Sequence, residues 1–159
     1  KSFNDDILRP LIRSGSLKVM ACRMDGYYSR IETIKHYFRF NLDLLNYDVR
    51  RELFGTMPIY TKTRDEVPAV YRAGAQVRNS LVADGCIIEG NVENSVLFRG
   101  VHVARGANIK NSIIMQDGSI EEFVELENVI LDKDVTVRSH GRLIAPSQYP
   151  IVIGKNVTL

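Results

Sequence analysis

Two short runs gather basic and imidazole side chains that could act together: Arg99, His102 and Arg105 within seven residues, and Arg138, His140 and Arg142 within five. Clustered guanidinium groups bind anions through paired N–H donors, and an imidazole beside them adds a donor or serves as a general base. The competing reading for either run is plain solvated surface, because neighbouring side chains of a strand point to opposite sides. The second run is the stronger candidate for an anion site. It lies where a repeating pattern breaks into a loop toward Pro150, and a loop can converge side chains that a strand separates. No catalytic residue is assigned, and His36 reads as an ordinary helix residue. Cys22 and Cys86 stand in strand-like apolar contexts without CxxC or Cys/His ligand spacing, which predicts two buried reduced thiols and no metal site.

The second run takes its position from a degenerate hexad. Apolar residues recur at Val77, Val82, Ile88, Val92, Leu97, Val103, Ile109, Ile114, Ile120, Leu126, Leu131 and Val137, a step that is neither helical nor a plain alternation. Taken in threes these positions give units of 15, 17 and 17 residues, with Asn79, Asn94, Asn111 and Asn128 at one phase. Each hexad reads as a short strand plus a corner, and three close one coil of a triangular solenoid. Gly85, Gly90, Gly100, Gly106, Gly118 and the asparagines suit corners because they tolerate positive φ. The alternative is an antiparallel sandwich, which has no reason to hold its turns to a fixed phase. The fold class expected is mainly β: a left-handed parallel β-helix over residues 75–159, an exception to the usual crossover hand, preceded by a short α/β segment.

Charge and composition narrow the function classes. Residues 1–74 carry 13 Lys and Arg against 9 Asp and Glu, and the remainder 8 against 10, too mild an asymmetry for a nucleic-acid surface. The apolar runs are too short to span a bilayer and the chain opens with no signal pattern, so no membrane partner and a cytoplasmic location are expected.

The first 74 residues have a different grammar. Residues 17–24 read as a strand stopped by Asp25-Gly26. Ser29 and Glu32 have capping-box spacing, and Ile31, Ile34, Tyr37 or Phe38, Leu42 and Leu45 form a helical apolar stripe. Asp48 is placed to cap a further short helix through Leu53, and residues 55–74 read as a linker with Pro58 and Pro68. One strand, one helix and a linker do not make a domain. Two placements stay open for the stripe: across an open end of the solenoid, or on a larger domain absent from this chain. The opening on Lys1-Ser2-Phe3, without Met, leads us to expect an excised fragment whose exposed Ile31, Ile34 and Phe38 promote self-association.

Gly26-Tyr27-Tyr28-Ser29-Arg30-Ile31-Glu32-Thr33-Ile34 followed by Asn41-Leu42-Asp43-Leu44-Leu45 resembles the end of the catalytic domain of glucose-1-phosphate adenylyltransferases (ADP-glucose pyrophosphorylases). Pro58-Ile59-Tyr60-Thr61 with Pro68-Ala69 resembles their linker, and Asn79-Ser80, Gly85-Cys86, Gly90 and Asn94-Ser95-Val96-Leu97 the opening of their β-helix. Nearly the whole chain is covered, and the likeness is greatest to the D-type subunit of bacterial glycogen synthesis. The resemblance implies residues 1–54 as the end of a nucleotidyltransferase domain, 55–74 as linker and 75–159 as β-helix. It also implies a tetrameric enzyme joining ATP and glucose 1-phosphate into ADP-glucose and pyrophosphate, with magnesium in the full complex, a catalytic partner subunit and allosteric effectors bound beside the β-helix.

Departures from the family pattern bear on turnover. No GxG loop or P-loop occurs in the chain. Catalytic members read Gly-Tyr-Trp-Arg-Asp-Val-Gly-Thr, whose Asp is a metal ligand; here that Asp falls on Arg30, which would repel magnesium. Their Asp-Phe-Gly-Lys-Asp-Ile appears as Ser2-Phe3-Asn4-Asp5-Asp6-Ile7, so the sugar-phosphate Lys has become Asp5. The expectation is an assembly and regulatory subunit, with transfer of the metal role to Glu32 or Asp25 as the counter-reading. The alternative function is a hexapeptide-repeat acyltransferase, in which His102 or His140 would be the general base.

Overall fold

The computed structural model describes residues 2–15, 18–55, 59–61 and 65–159. From Val70 onward each coil contributes one strand to each of three parallel sheets, the sides of a prism. The first side holds β1 (Val70–Tyr71), β4 (Ile87–Ile88), β7 (His102–Val103), β10 (Ser119–Ile120) and β13 (Thr136–Val137). The second holds β2 (Gln76–Arg78), β5 (Asn91–Glu93), β8 (Asn108–Lys110), β11 (Glu125–Glu127) and β14 (Arg142–Ile144). The third holds β3 (Leu81–Val82), β6 (Val96–Leu97), β9 (Ile113–Ile114), β12 (Val129–Leu131) and β15 (Ile151–Ile153). The solenoid expected from the hexads is the observed architecture, with Val70 and Tyr71 paired to Ile87 and Ile88 ahead of the Ala75 at which the hexads become visible.

One residue of each short strand points into the prism, and these stack coil on coil. Ile88, Val103, Ile120 and Val137 line the first side, Val92, Ile109 and Leu126 the second, and Leu97, Ile114 and Leu131 the third, all essentially removed from water. Burial of a Val, Ile or Leu side chain contributes about 1.5–3 kcal/mol, so this interior column is the main stabilising term. Register confirms the unequal units. Val77 pairs with Val92, Val92 with Ile109 and Ile109 with Leu126, steps of 15, 17 and 17, because the corner after β4 is two residues shorter than those after β7 and β10.

The corners divide by residue type. Asn79, Asn94, Asn111 and Asn128 all have positive φ, and the Asn79 amide donates to Asn94 Oδ1 at 2.7 Å. The serines that follow Asn79, Asn94 and Asn111 turn inward: Ser95 N–H donates to Ser80 Oγ, Ser112 N–H to Ser95 Oγ and Val129 N–H to Ser112 Oγ. Gly90 and Gly118 do not adopt the positive φ expected of them. They are needed for space instead, since a Cβ on Gly90 would lie 2.5 Å from the Ala107 carbonyl oxygen.

The N-terminal part departs further from its expected form. A π-helical turn at Phe3–Leu8 runs into α1 (Arg9–Ser14). Residues 18–24 form no strand, because no neighbouring strand pairs with them; Leu17, where that strand was expected to begin, lies outside the described residues, as does Pro58. Cys22 is consequently exposed rather than buried, while Cys86 is fully buried as expected and its thiol is pushed up by that burial. The Ser29–Glu32 capping box is not formed. Helix α2 (Ile34–Asp43) begins later, capped by Thr33, whose hydroxyl accepts from His36 N–H, and α3 (Tyr47–Phe54) is capped by Asn46 rather than Asp48.

Candidate functional site

The turn from the first to the second side brings Arg138, His140 and Arg142 to one corner, each in register with a residue 17 earlier. Arg142 Nε lies 2.8 Å from Glu125 Oε2, the residue opposite it in the ladder. The His140 ring, on a backbone of positive φ, stacks on Phe123 with centroids 5.4 Å apart. Ser139 donates from its N–H and its hydroxyl to Glu121, at 2.9 and 3.0 Å. Those bonds hold the Glu121 carboxyl below the usual range, with a smaller contribution from the charge of Arg138. Three cationic or imidazole groups therefore share a corner with two carboxylates. Arg142 is committed to Glu125, while Arg138 and His140 stay exposed, able to donate to an anion in solution.

The other run is spread along a coil. Arg99 sits at the corner before β7, Arg105 at the corner after it, and His102 faces outward between them with Nε2 3.7 Å from Glu89 Oε1. No corner draws these three together. Among the described residues no group of His, Cys, Asp and Glu is arranged to hold a metal ion.

Sequence reading overlooked the outer face of the third side. Its doublets Val96-Leu97, Ile113-Ile114 and Ile130-Leu131 are apolar at both positions, so one residue fills the prism while Val96, Ile113 and Ile130 face outward. Helix α2 covers Ile113 and Ile130 of that outer strip. Phe38 packs on Ile113 and Ile130, flanked by Tyr37, Leu42, Phe98 and Met115, and is itself only 5% exposed. The stripe thus lies on a flank of the solenoid rather than across its end, and Phe38 is not the exposed residue expected, although Ile31 and Ile34 are 59% and 55% exposed. The available signal was the paired apolar residues two positions after each corner Asn, where alternation would have placed one polar residue.

On its other side α2 helps to form an open cavity of about 570 Å³ with α3 and residues 27–31, walled by Tyr27, Tyr28, Tyr37, Phe40 and Phe54. The Tyr27 hydroxyl donates to Asp43 at 3.0 Å, and burial, followed by that carboxylate, pushes its pKa up. Nearby in the chain Arg30 contacts Glu32 at 2.8 Å, and Arg23 contacts Asp25 at 3.1 Å. Asp5 is held by Arg9 at 2.7 Å.

Comparison with known proteins agrees with this architecture. The family model described as GlmU-like, C-terminal hexapeptide, matches residues 67–144. The chain is 39% identical over 145 residues to the glycogen biosynthesis protein GlgD of Bacillus subtilis, an alignment covering 91% of this chain and 42% of that protein. It is 33% identical over 147 residues to the glucose-1-phosphate adenylyltransferase of Bacillus mycoides, covering 92% of this chain and 39% of that protein, with the same figures for the Bacillus cereus protein. The chain thus spans about two fifths of the length of these curated relatives.

Proposed function

This chain is related to the glucose-1-phosphate adenylyltransferases over 92% of its length and to GlgD over 91%, and from that premise we propose that it is the assembly and regulatory part of a subunit serving ADP-glucose synthesis in glycogen formation. The subunit is of the D type, working beside a catalytic partner in a hetero-oligomer rather than turning over substrate itself. The observation that carries this is the state of the carboxylates around Arg30. Where catalytic relatives are expected to hold magnesium with an Asp, this chain presents a guanidinium, and the two neighbouring carboxylates that could replace that ligand, Glu32 and Asp25, are each engaged by an arginine. These residues do not fit a magnesium ion, whose oxygen ligands must be free to converge.

The test is steady-state assay of the full-length protein alone, of a catalytic subunit alone, and of the two co-purified. The pair is expected to outperform either alone, with the full-length protein alone near background; ADP-glucose made by that protein alone at the rate of the pair would reject the assignment. We place an effector anion at the corner of Arg138, His140 and Arg142. Replacing Arg138 and Arg142 by Ala in the complete complex should weaken activation by a phosphorylated sugar, and an unchanged activation curve would reject this corner.

A further inference from the structure

The second side of the prism carries an ordered row of charges that the adenylyltransferase reading does not use. At the last outward position of its strands Arg78, Glu93, Lys110 and Glu127 stand one above another, held in register by the parallel pairing of β2, β5, β8 and β11. The parallel column at the first outward position reads Gln76, Asn91, Asn108, Glu125 and Arg142, the last paired with Glu125 of its own chain. Among the described residues none of Arg78, Glu93, Lys110 and Glu127 takes part in an ion pair; the Arg78 side chain donates to Gln76 Oε1 of its own strand at 3.4 Å. Nothing in the described chain covers this side, whereas the third side is covered by α2.

The order of signs, plus, minus, plus, minus, is complementary to its own reverse. We propose that this side is a two-fold docking surface for a second copy of the chain, with the solenoid axes antiparallel. A two-fold axis lying in the interface, perpendicular to the solenoid and between the rungs of Glu93 and Lys110, keeps each column facing its own copy and inverts the rungs. Arg78 then meets Glu127 of the second copy, Glu93 meets its Lys110, Asn91 meets its Asn108 and Gln76 meets its Glu125. Every charge in the row finds its opposite, as an isologous interface requires.

Competing arrangements fail on charge. Moving the axis down to the Lys110 rung would set Glu93 against Glu127. Running the solenoids parallel would exchange the two columns and set Glu127 against Glu125. Like charges brought face to face suppress such docking, and an axis between Arg78 and Glu93 or between Lys110 and Glu127, which also sets opposites together, forms two ion pairs in place of four, so the row favours this orientation and register. Four rungs about 4.8 Å apart make a small polar patch, which predicts a weak, salt-sensitive dimer rather than an obligate one.

Sedimentation velocity on the whole 159-residue chain tests this without reference to any enzymatic activity, so its outcome is separate from that of the assays above. Raising salt from about 50 to about 500 mM should dissociate the dimer, whereas association through exposed apolar groups would strengthen or hold. Glu93→Lys and Lys110→Glu should each raise the dissociation constant about tenfold or more, and the double exchange should return it to within about threefold of the original, since it rebuilds each pair with signs reversed. Circular dichroism and melting on each variant confirm that these exposed changes leave the solenoid folded. A monomer at all concentrations and both salts, a dimer indifferent to the single exchanges, or a double exchange that fails to restore it would each overturn the proposal.

Discussion

Ser112 shows how a polar residue becomes structural inside an apolar prism. Its hydroxyl donates to the Lys110 carbonyl at 2.7 Å and accepts from Val129 N–H of the next coil at 3.1 Å, so one buried side chain joins two coils. Ser95 does the same one coil earlier, and both are fully buried. Ser112→Ala removes the acceptor of the Val129 N–H and leaves that group dry. The expected cost is about 1–3 kcal/mol, the penalty for an unsatisfied buried donor, read as a lower midpoint in urea. Ser80→Ala at the less enclosed start of the row should cost less, because water can reach the vacated bond. Equal midpoints for Ser112→Ala and the parent chain would show that the ladder is decorative. The same spatial logic governs Gly106: its φ is +75°, and an added Cβ would stand 2.5 Å from the Phe123 ring that supports His140.

At the scale of elements, the third side and α2 depend on one another. The helix runs ten residues, too short to persist alone in water, and the outward Ile113 and Ile130 would otherwise be exposed. Phe38 is the residue that joins them. Phe38→Ala should cost about 3–5 kcal/mol locally, but that loss falls on the helix rather than the coils, whose core does not include it. Amides of Ile34–Asp43 should lose hydrogen-exchange protection while those of Ile113–Leu131 keep it. Loss of protection in both together would show a single cooperative unit. The coils were legible from the primary structure because Val92, Ile109 and Leu126 answer to a local rule, one inward residue per short strand. The start of α2 was not: Ser29 and Glu32 satisfy a local capping pattern, yet the helix begins at Thr33–Ile34, where Phe38 can reach Ile113. That choice depends on a surface some seventy residues away in sequence. The candidate corner was half legible, since the grouping of Arg138, His140 and Arg142 was visible whereas the carboxylates of Glu121 and Glu125 arrive from the previous coil through the 17-residue step.

As a whole, the molecule is a one-dimensional stack whose stability varies along its axis. An inner coil is bonded on both faces, as with Asn108 N–H to the Val124 carbonyl below and Asn91 N–H to the Ala107 carbonyl above. The terminal coils have one bonded face each, and their apolar residues show it: Val70 and Tyr71 at one end and Ile144, Val152 and Leu159 at the other are all exposed. The last coil is partly closed by its own tail, where Thr136 N–H donates to the Val157 carbonyl and Leu159 N–H returns to Thr136. In such stacks opening begins at an end and moves inward, because freeing a terminal coil breaks one interface and freeing an inner coil breaks two. Native-state hydrogen exchange should therefore be slowest between Val103 and Leu131, faster toward Val70 and Ile153, and fastest in residues 18–32, which pair with no strand. The gradient should be asymmetric: removing residues 156–159 exposes the Thr136 N–H and should speed exchange in β13 well before it affects β4. Uniform protection from β1 to β15 would mean that the prism opens as one unit, and that its coils are coupled more strongly than stacking and one row of serines can account for.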